Sequence, residues 1–93
     1  MPTDNIVIDR PPQRAEVPDH LPGGSTVVIL NDPITPAGVV VEAIVYGTGL
    51  PESEALQRML RAHRGGWAPI ASYASRDVAE SVAAKIQIHA RQN

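Results

Sequence analysis

The sequence predicts a small α+β domain whose elements run strand, helix, helix, strand, helix. Two observations predict it. Thr26 to Asn31 and Trp67 to Tyr73 are short runs of strand-forming residues, and three longer segments carry helix start signals or helical spacing. At 93 residues the chain holds one domain at most, with a modest core.

Residues 1–24 precede that domain, which spans 25–93. The first segment contains Pro2, Pro11, Pro12, Pro18 and Pro22, scattered charges and a closing Gly23-Gly24 pair. With so little to bury, it reads as a disordered Pro-rich tail. Its one apolar island is Ile6-Val7-Ile8.

The elements of the domain follow in order. Thr26–Asn31 is apolar, short and β-branched, as a buried strand is, and Asn31-Asp32-Pro33 supplies turn formers at its end. Thr35-Pro36 has the form of a helix start, a hydroxyl N-cap followed by proline at the first helical position. Val39, Val40, Val41, Ile44 and Val45 favour a strand, yet Val40, Ala43, Ile44 and Gly47 fall at helical spacing. The start signal decides, and a helix is predicted over residues 36–47. Pro51 opens the second helix, with Glu52 and Glu54 suited to the dipole of its first turn. Leu56, Met59, Leu60 and His63 then make an apolar stripe that Gly65-Gly66 terminates. Arg58, Arg61 and Arg64 lie on other faces and read as a solvated surface. Trp67–Tyr73 reads as an edge strand, because Pro69 cannot donate to a ladder. Ser75 can cap a third helix in which Val78, Val82 and Ile86 repeat every four residues.

Composition narrows the function. The chain has no cysteine, which excludes disulfides, thiolate zinc sites and cysteine nucleophiles. A formal net charge of −2 argues against a nucleic-acid or anionic-membrane surface. No apolar run approaches the roughly 20 residues of a membrane helix, and no secretory signal opens the chain. The expectation is a cytoplasmic protein. His20, His63 and His89 lack zincin spacing, and no G-x-S-x-G, P-loop or dinucleotide fingerprint is present. No enzymatic activity, cofactor or metal is expected.

Three motifs, in order, carry a resemblance: LNDPITP (30–36), MLRAH (59–63) followed by Gly66, and VAES (78–81) with a closing ARQN (90–93). They resemble the ClpS family, the adaptors that deliver N-degron substrates to the bacterial Clp ATPase–protease. The resemblance covers about 70 residues, from Ser25 to Asn93, and implies a two-layer domain with a small antiparallel sheet and helices on one face. It also implies a site for a substrate's free α-amino group at Asn31, Asp32 and His63. Thr35, Ala37, Val40 and Met59 would line the pocket for the first side chain, which in the family is Leu, Phe, Tyr or Trp. The implied partners are a Clp-type AAA+ ATPase and substrate N-terminal peptides, with no nucleic acid and no membrane.

The chain also departs from the pattern. Pro33 replaces the second acid of the family's Asn-Asp-Asp, Ala37 replaces a methionine at the pocket mouth, and Val82 falls near a helix lysine that contacts the ATPase. The family's last strand lies beyond the residues matched, which implies a two-stranded sheet with an open edge. Ile6-Val7-Ile8 or a second copy of the chain, as a homodimer, would cover that edge. The alternative to an adaptor is a divergent ClpS-like protein-interaction module without N-degron binding.

Overall fold

A computed structural model describes residues 14–17 and 24–92. The elements are β1 (Arg14–Glu16), β2 (Ser25–Leu30), α1 (Ala37–Thr48), α2 (Glu52–Gly65), β3 (Trp67–Tyr73) and α3 (Arg76–Gln92). Among the described residues the strands form one antiparallel sheet in the order β1-β2-β3, so β2 is central and β3 lies at an edge, which suits Pro69. Val27 pairs with Ala71 and Val28 with Pro69, which leaves Ile70 as an extra residue in β3. The bulge places this irregularity beside the one residue that has no N–H for the ladder.

The core joins the sheet to the helices. Val27, Ile29, Ala68 and Ile70 from the sheet meet Val40, Ala43 and Ile44 of α1, Ala55 and Ala62 of α2, and Ala79, Val82, Ala83, Ile86 and Ala90 of α3. Many of these residues are alanines, and small side chains let the helices approach closely. The approach is tightest at Gly47, where a Cβ would lie 2.6 Å from Ile86 Cγ1. On the opposite face of the sheet, Thr26 and Ser72 share a hydroxyl–hydroxyl hydrogen bond of 2.9 Å.

Three expectations change against this structure. Among the described residues the sheet has three strands, and β1 comes from the Pro-rich segment in which composition predicts disorder. Arg14, Ala15 and Glu16 pair with Leu30, Ile29 and Val28, and Ala15 is buried. Two side chains of α3 hold the new strand: Gln87 Nε2 donates to Ala15 O at 2.7 Å, and Arg76 Nη2 to Val17 O at 3.0 Å. The free edge of β2 is thus covered by backbone pairing that polar residues can provide as well as apolar ones. Ile6-Val7-Ile8 lies outside the described residues.

Secondly, the inner face of α2 is Ala55, Met59 and Ala62, while Leu56 (43 %) and Leu60 (38 %) are exposed. Likewise Val78 of α3 is 48 % exposed, and the inner face there is completed by alanines beside Val82 and Ile86. Thirdly, α1 begins at Ala37 with Pro36 as its extended N-cap (φ −59°, ψ 144°), and no side chain caps it. The Pro36 carbonyl accepts from Val39 and Val40 N–H at 3.0 and 3.2 Å. Thr35, expected to be the hydroxyl cap, uses its oxygen elsewhere. The helix itself spans the β-branched run as the start signal predicts, since packing outweighs propensity.

Candidate functional site

The site begins where β2 ends. Asn31 N–H donates to Gly66 O at 2.9 Å, and Gly66 N–H donates to Ala62 O at 2.8 Å. Gly66 has φ 94°, a left-handed conformation that closes α2 and that glycine adopts without a Cβ penalty. One residue therefore ends the helix and anchors the start of the turn. That is why the Asn31 turn sits against the last turn of α2.

The turn is then fixed from within. Asp32 Oδ1 accepts from Ile34 N–H at 2.9 Å, and Oδ2 accepts from the Thr35 hydroxyl at 2.8 Å. A carboxylate that receives donors two and three residues ahead folds the backbone back on itself. Thr35 is only 8 % exposed, so its hydroxyl needs this partner. Each carboxylate oxygen has further lone-pair capacity, so Asp32 can serve the turn and still face a ligand. Asn31 is exposed and Asp32 half-buried.

Across the gap, α2 contributes Met59, Ala62 and His63. His63 stands exposed in the last helical turn, and Met59 is half-buried one turn earlier. Between the two walls lies a cleft of about 190 Å³. It brings together every residue singled out from the sequence: Asn31, Asp32, Thr35, Ala37, Val40, Met59 and His63 all line it. Pro33 lines it at the position of the family's second acid, and Ile29, Leu30 and Ala62, which the sequence did not single out as site residues, line it too. Strand alternation and the inner face of α2 are the signals that could have found Ile29 and Ala62. The cleft thus has an apolar floor and a rim of amide, carboxylate and imidazole. Among the described residues of its lining, Asp32 supplies the one acidic side chain, and Pro33 adds none. Such a rim offers acceptors to a cation that carries several N–H donors.

A larger, open cleft of about 860 Å³ runs along the outward face of α2, lined by Arg58, Leu60, Arg61, Arg64 and their neighbours. It contains none of the expected site residues. Size alone does not identify the site, and the chemistry of the smaller cleft does. Among the described residues no group of three or more His, Asp or Glu side chains is placed to hold a metal ion, and no helix is long and apolar enough to cross a membrane.

A family model described as ATP-dependent Clp protease adaptor protein ClpS matches residues 22–93, which include the whole lining of the small cleft. The chain belongs to the ClpS family. An ATP-dependent Clp protease adapter protein ClpS from Methylococcus capsulatus is 39 % identical over 67 residues, 72 % of this chain and 62 % of the relative. The match therefore spans less than two thirds of that relative's length. A ClpS adapter from Paraburkholderia phymatum is 34 % identical over 89 residues, 96 % of this chain and 81 % of the relative. No solved structure matches the chain significantly. ClpS membership agrees with the α+β order and with the helices packed on one face of an antiparallel sheet.

Proposed function

We propose that this chain is a non-enzymatic adaptor that recognises N-terminal bulky hydrophobic residues and delivers the proteins bearing them to a Clp-type AAA+ ATPase. The observation that carries the reading is the convergence of Asn31, Asp32 and His63 on the rim of one apolar-floored cleft. A protonated α-amine has three donors, and the Asn31 carbonyl, the Asp32 carboxylate and a neutral His63 nitrogen are three acceptors of suitable kind. Hydrogen bonds to charged groups are worth roughly 1.5–3 kcal/mol each, so two or three of them plus an apolar contact reach micromolar affinity. Val40, Met59 and the methyl of Ala37 receive the first side chain. Ala37 is smaller than the family's methionine, which leaves room for the larger members of the set. The family name and the adapters it groups support the ATPase as the partner.

The test is a titration with peptides that differ at the N-terminus. Peptides beginning with Leu, Phe or Trp bind in the micromolar range. A Ser-first peptide and an N-acetylated Leu-first peptide do not, because the first lacks the apolar anchor and the second lacks the charge and two donors. Equal binding of the acetylated peptide would remove the amine site from the account and leave a protein-interaction module. Delivery is then measured as faster degradation of a Leu-first reporter by a Clp ATPase–peptidase when the chain is added.

A further inference from the structure

His63 is the border between the cleft and the outward face of α2. Leu60, three residues before it, is its neighbour on the helix surface, and Arg64 and Arg61 stand further round on the outward side. These residues line the open cleft of about 860 Å³, and Leu60 is exposed within it. The arginines of this face differ in what they already hold. Arg58 pairs with Glu54 at 3.5 Å and donates to Pro69 O at 3.4 Å. Arg64 donates through Nε to Leu60 O at 3.5 Å, a contact at the limit of hydrogen bonding, and Arg61 has no partner among the described residues. Of the two acids in the first turn of α2, Glu52 and Glu54, only Glu54 lines the same cleft, where Arg58 already pairs with it, and it lies roughly 10 Å along the axis from Arg61. The second half of α2 is therefore a positive surface on a chain whose formal net charge is −2.

A peptide whose first residue fills the small cleft has its following residues at the cleft's rim, where His63 leads on to Leu60 and, further round the helix, to Arg64 and Arg61. We propose that the Leu60–Arg61–Arg64 face binds the segment that follows a substrate's N-terminal residue, and that it selects acidic side chains there. The occupant is thus the same chain that occupies the small cleft, and the inference rests on the N-terminal reading of that cleft. Charge complementarity carries the choice. Two uncompensated guanidiniums offer forked donors to carboxylates, and Leu60 gives the aliphatic stems of Glu a surface to cover.

Four peptides test it: Leu-first with Asp and Glu at positions three to six, Leu-first with Ser and Asn there, Leu-first with Lys there, and Ser-first with the acidic segment. Affinities are measured at low and moderate salt for the full chain and for the R61Q/R64Q variant, whose exposed substitutions keep a good helix former. The acidic Leu-first peptide binds about three- to tenfold tighter than the neutral one, the range two exposed ion pairs supply. The lysine peptide binds more weakly than the neutral one, and the preference shrinks with salt. In R61Q/R64Q the preference disappears while the neutral peptide binds as before. Equal affinity of acidic and neutral Leu-first peptides overturns the inference and leaves the cleft reading standing. A Ser-first acidic peptide that binds as tightly as its Leu-first counterpart also overturns it, because the face would then act without the cleft. Failure of every Leu-first peptide to bind overturns the cleft reading and this inference together.

Discussion

On one wall of the small cleft, the Asn31–Thr35 turn is tied down by hydrogen bonds, with Asp32 accepting from the Ile34 N–H and the Thr35 hydroxyl and the Asn31 N–H donating to Gly66 O. On the other wall, α2 is held by the packing of Ala55, Met59 and Ala62, and the His63 side chain makes no hydrogen bond within the described residues. The comparison separates two roles that a list of site residues merges. Asp32 builds the site as well as facing it, whereas His63 only faces it. A loss of binding on changing Asp32 therefore does not by itself identify a ligand, and a loss on changing His63 does.

The largest effect breaks the first wall. Asp32→Ala removes the acceptors of the Ile34 N–H and of the Thr35 hydroxyl, and the second of these is buried. A buried donor left unpaired costs about 1–3 kcal/mol. Chemical denaturation of the variant should show that loss, with peptide binding lost as well. Asp32→Asn should recover part of the stability, since its amide oxygen accepts one of the two bonds. A variant as stable as the parent would show that the turn is held by other means. Gly66→Ala comes next. Nothing lies within 4 Å of the Cβ it would add, so its cost is conformational: about 1–2 kcal/mol for a non-glycine residue at φ 94°. The Asn31 amide should shift in a ¹H–¹⁵N spectrum, because its acceptor moves with residue 66. An unmoved Asn31 signal would uncouple the two walls.

These residues also show how far the sequence could be read. The turn, the helix-end histidine and the first helix were legible because each carries local chemistry: Asn31-Asp32, Thr35-Pro36 and Gly66 dictate backbone states within a few residues. The inner faces of α2 and α3 were less so. Periodicity ranks Leu56, Leu60 and Val78 as core, but the sheet and α1 come so close that alanines fill the inner positions and the larger side chains are left outside. The strand at Arg14–Glu16 was not legible from its composition at all. Its stabilisation comes from the open edge of β2 and from Gln87 and Arg76, more than 50 residues away along the chain. Local hydrophobicity pointed instead to Ile6-Val7-Ile8. The cleft was read through resemblance, and the hydrogen bonds of Asp32 required the fold.

A smaller effect sharpens the first wall further. Thr35→Val keeps the shape of the side chain and removes one hydrogen bond, while the Asp32 oxygen it leaves behind is half-exposed and open to water. The cost should be about 0.5–1.5 kcal/mol in thermal or chemical denaturation, below that of Asp32→Ala. Thr35→Ser should restore most of it. A Val variant as damaging as Asp32→Ala would mean that Thr35 carries the turn and Asp32 follows.

The smallest effect on stability belongs to the second wall. His63→Ala removes an exposed side chain that bonds to nothing described, and alanine is the best helix former, so stability should stay within about 0.5 kcal/mol of the parent. Binding of a Leu-first peptide should nonetheless fall roughly tenfold or more, the value of one hydrogen bond to a charged amine. The same substitution should leave an acetylated peptide's residual binding unchanged, since that ligand has no ammonium for the imidazole to accept from. If His63→Ala instead unfolds the chain, the contrast between the walls is wrong, because α2 would then depend on a residue that the geometry gives no structural work. If it changes neither stability nor affinity, the amine is held by the Asn31–Asp32 wall alone.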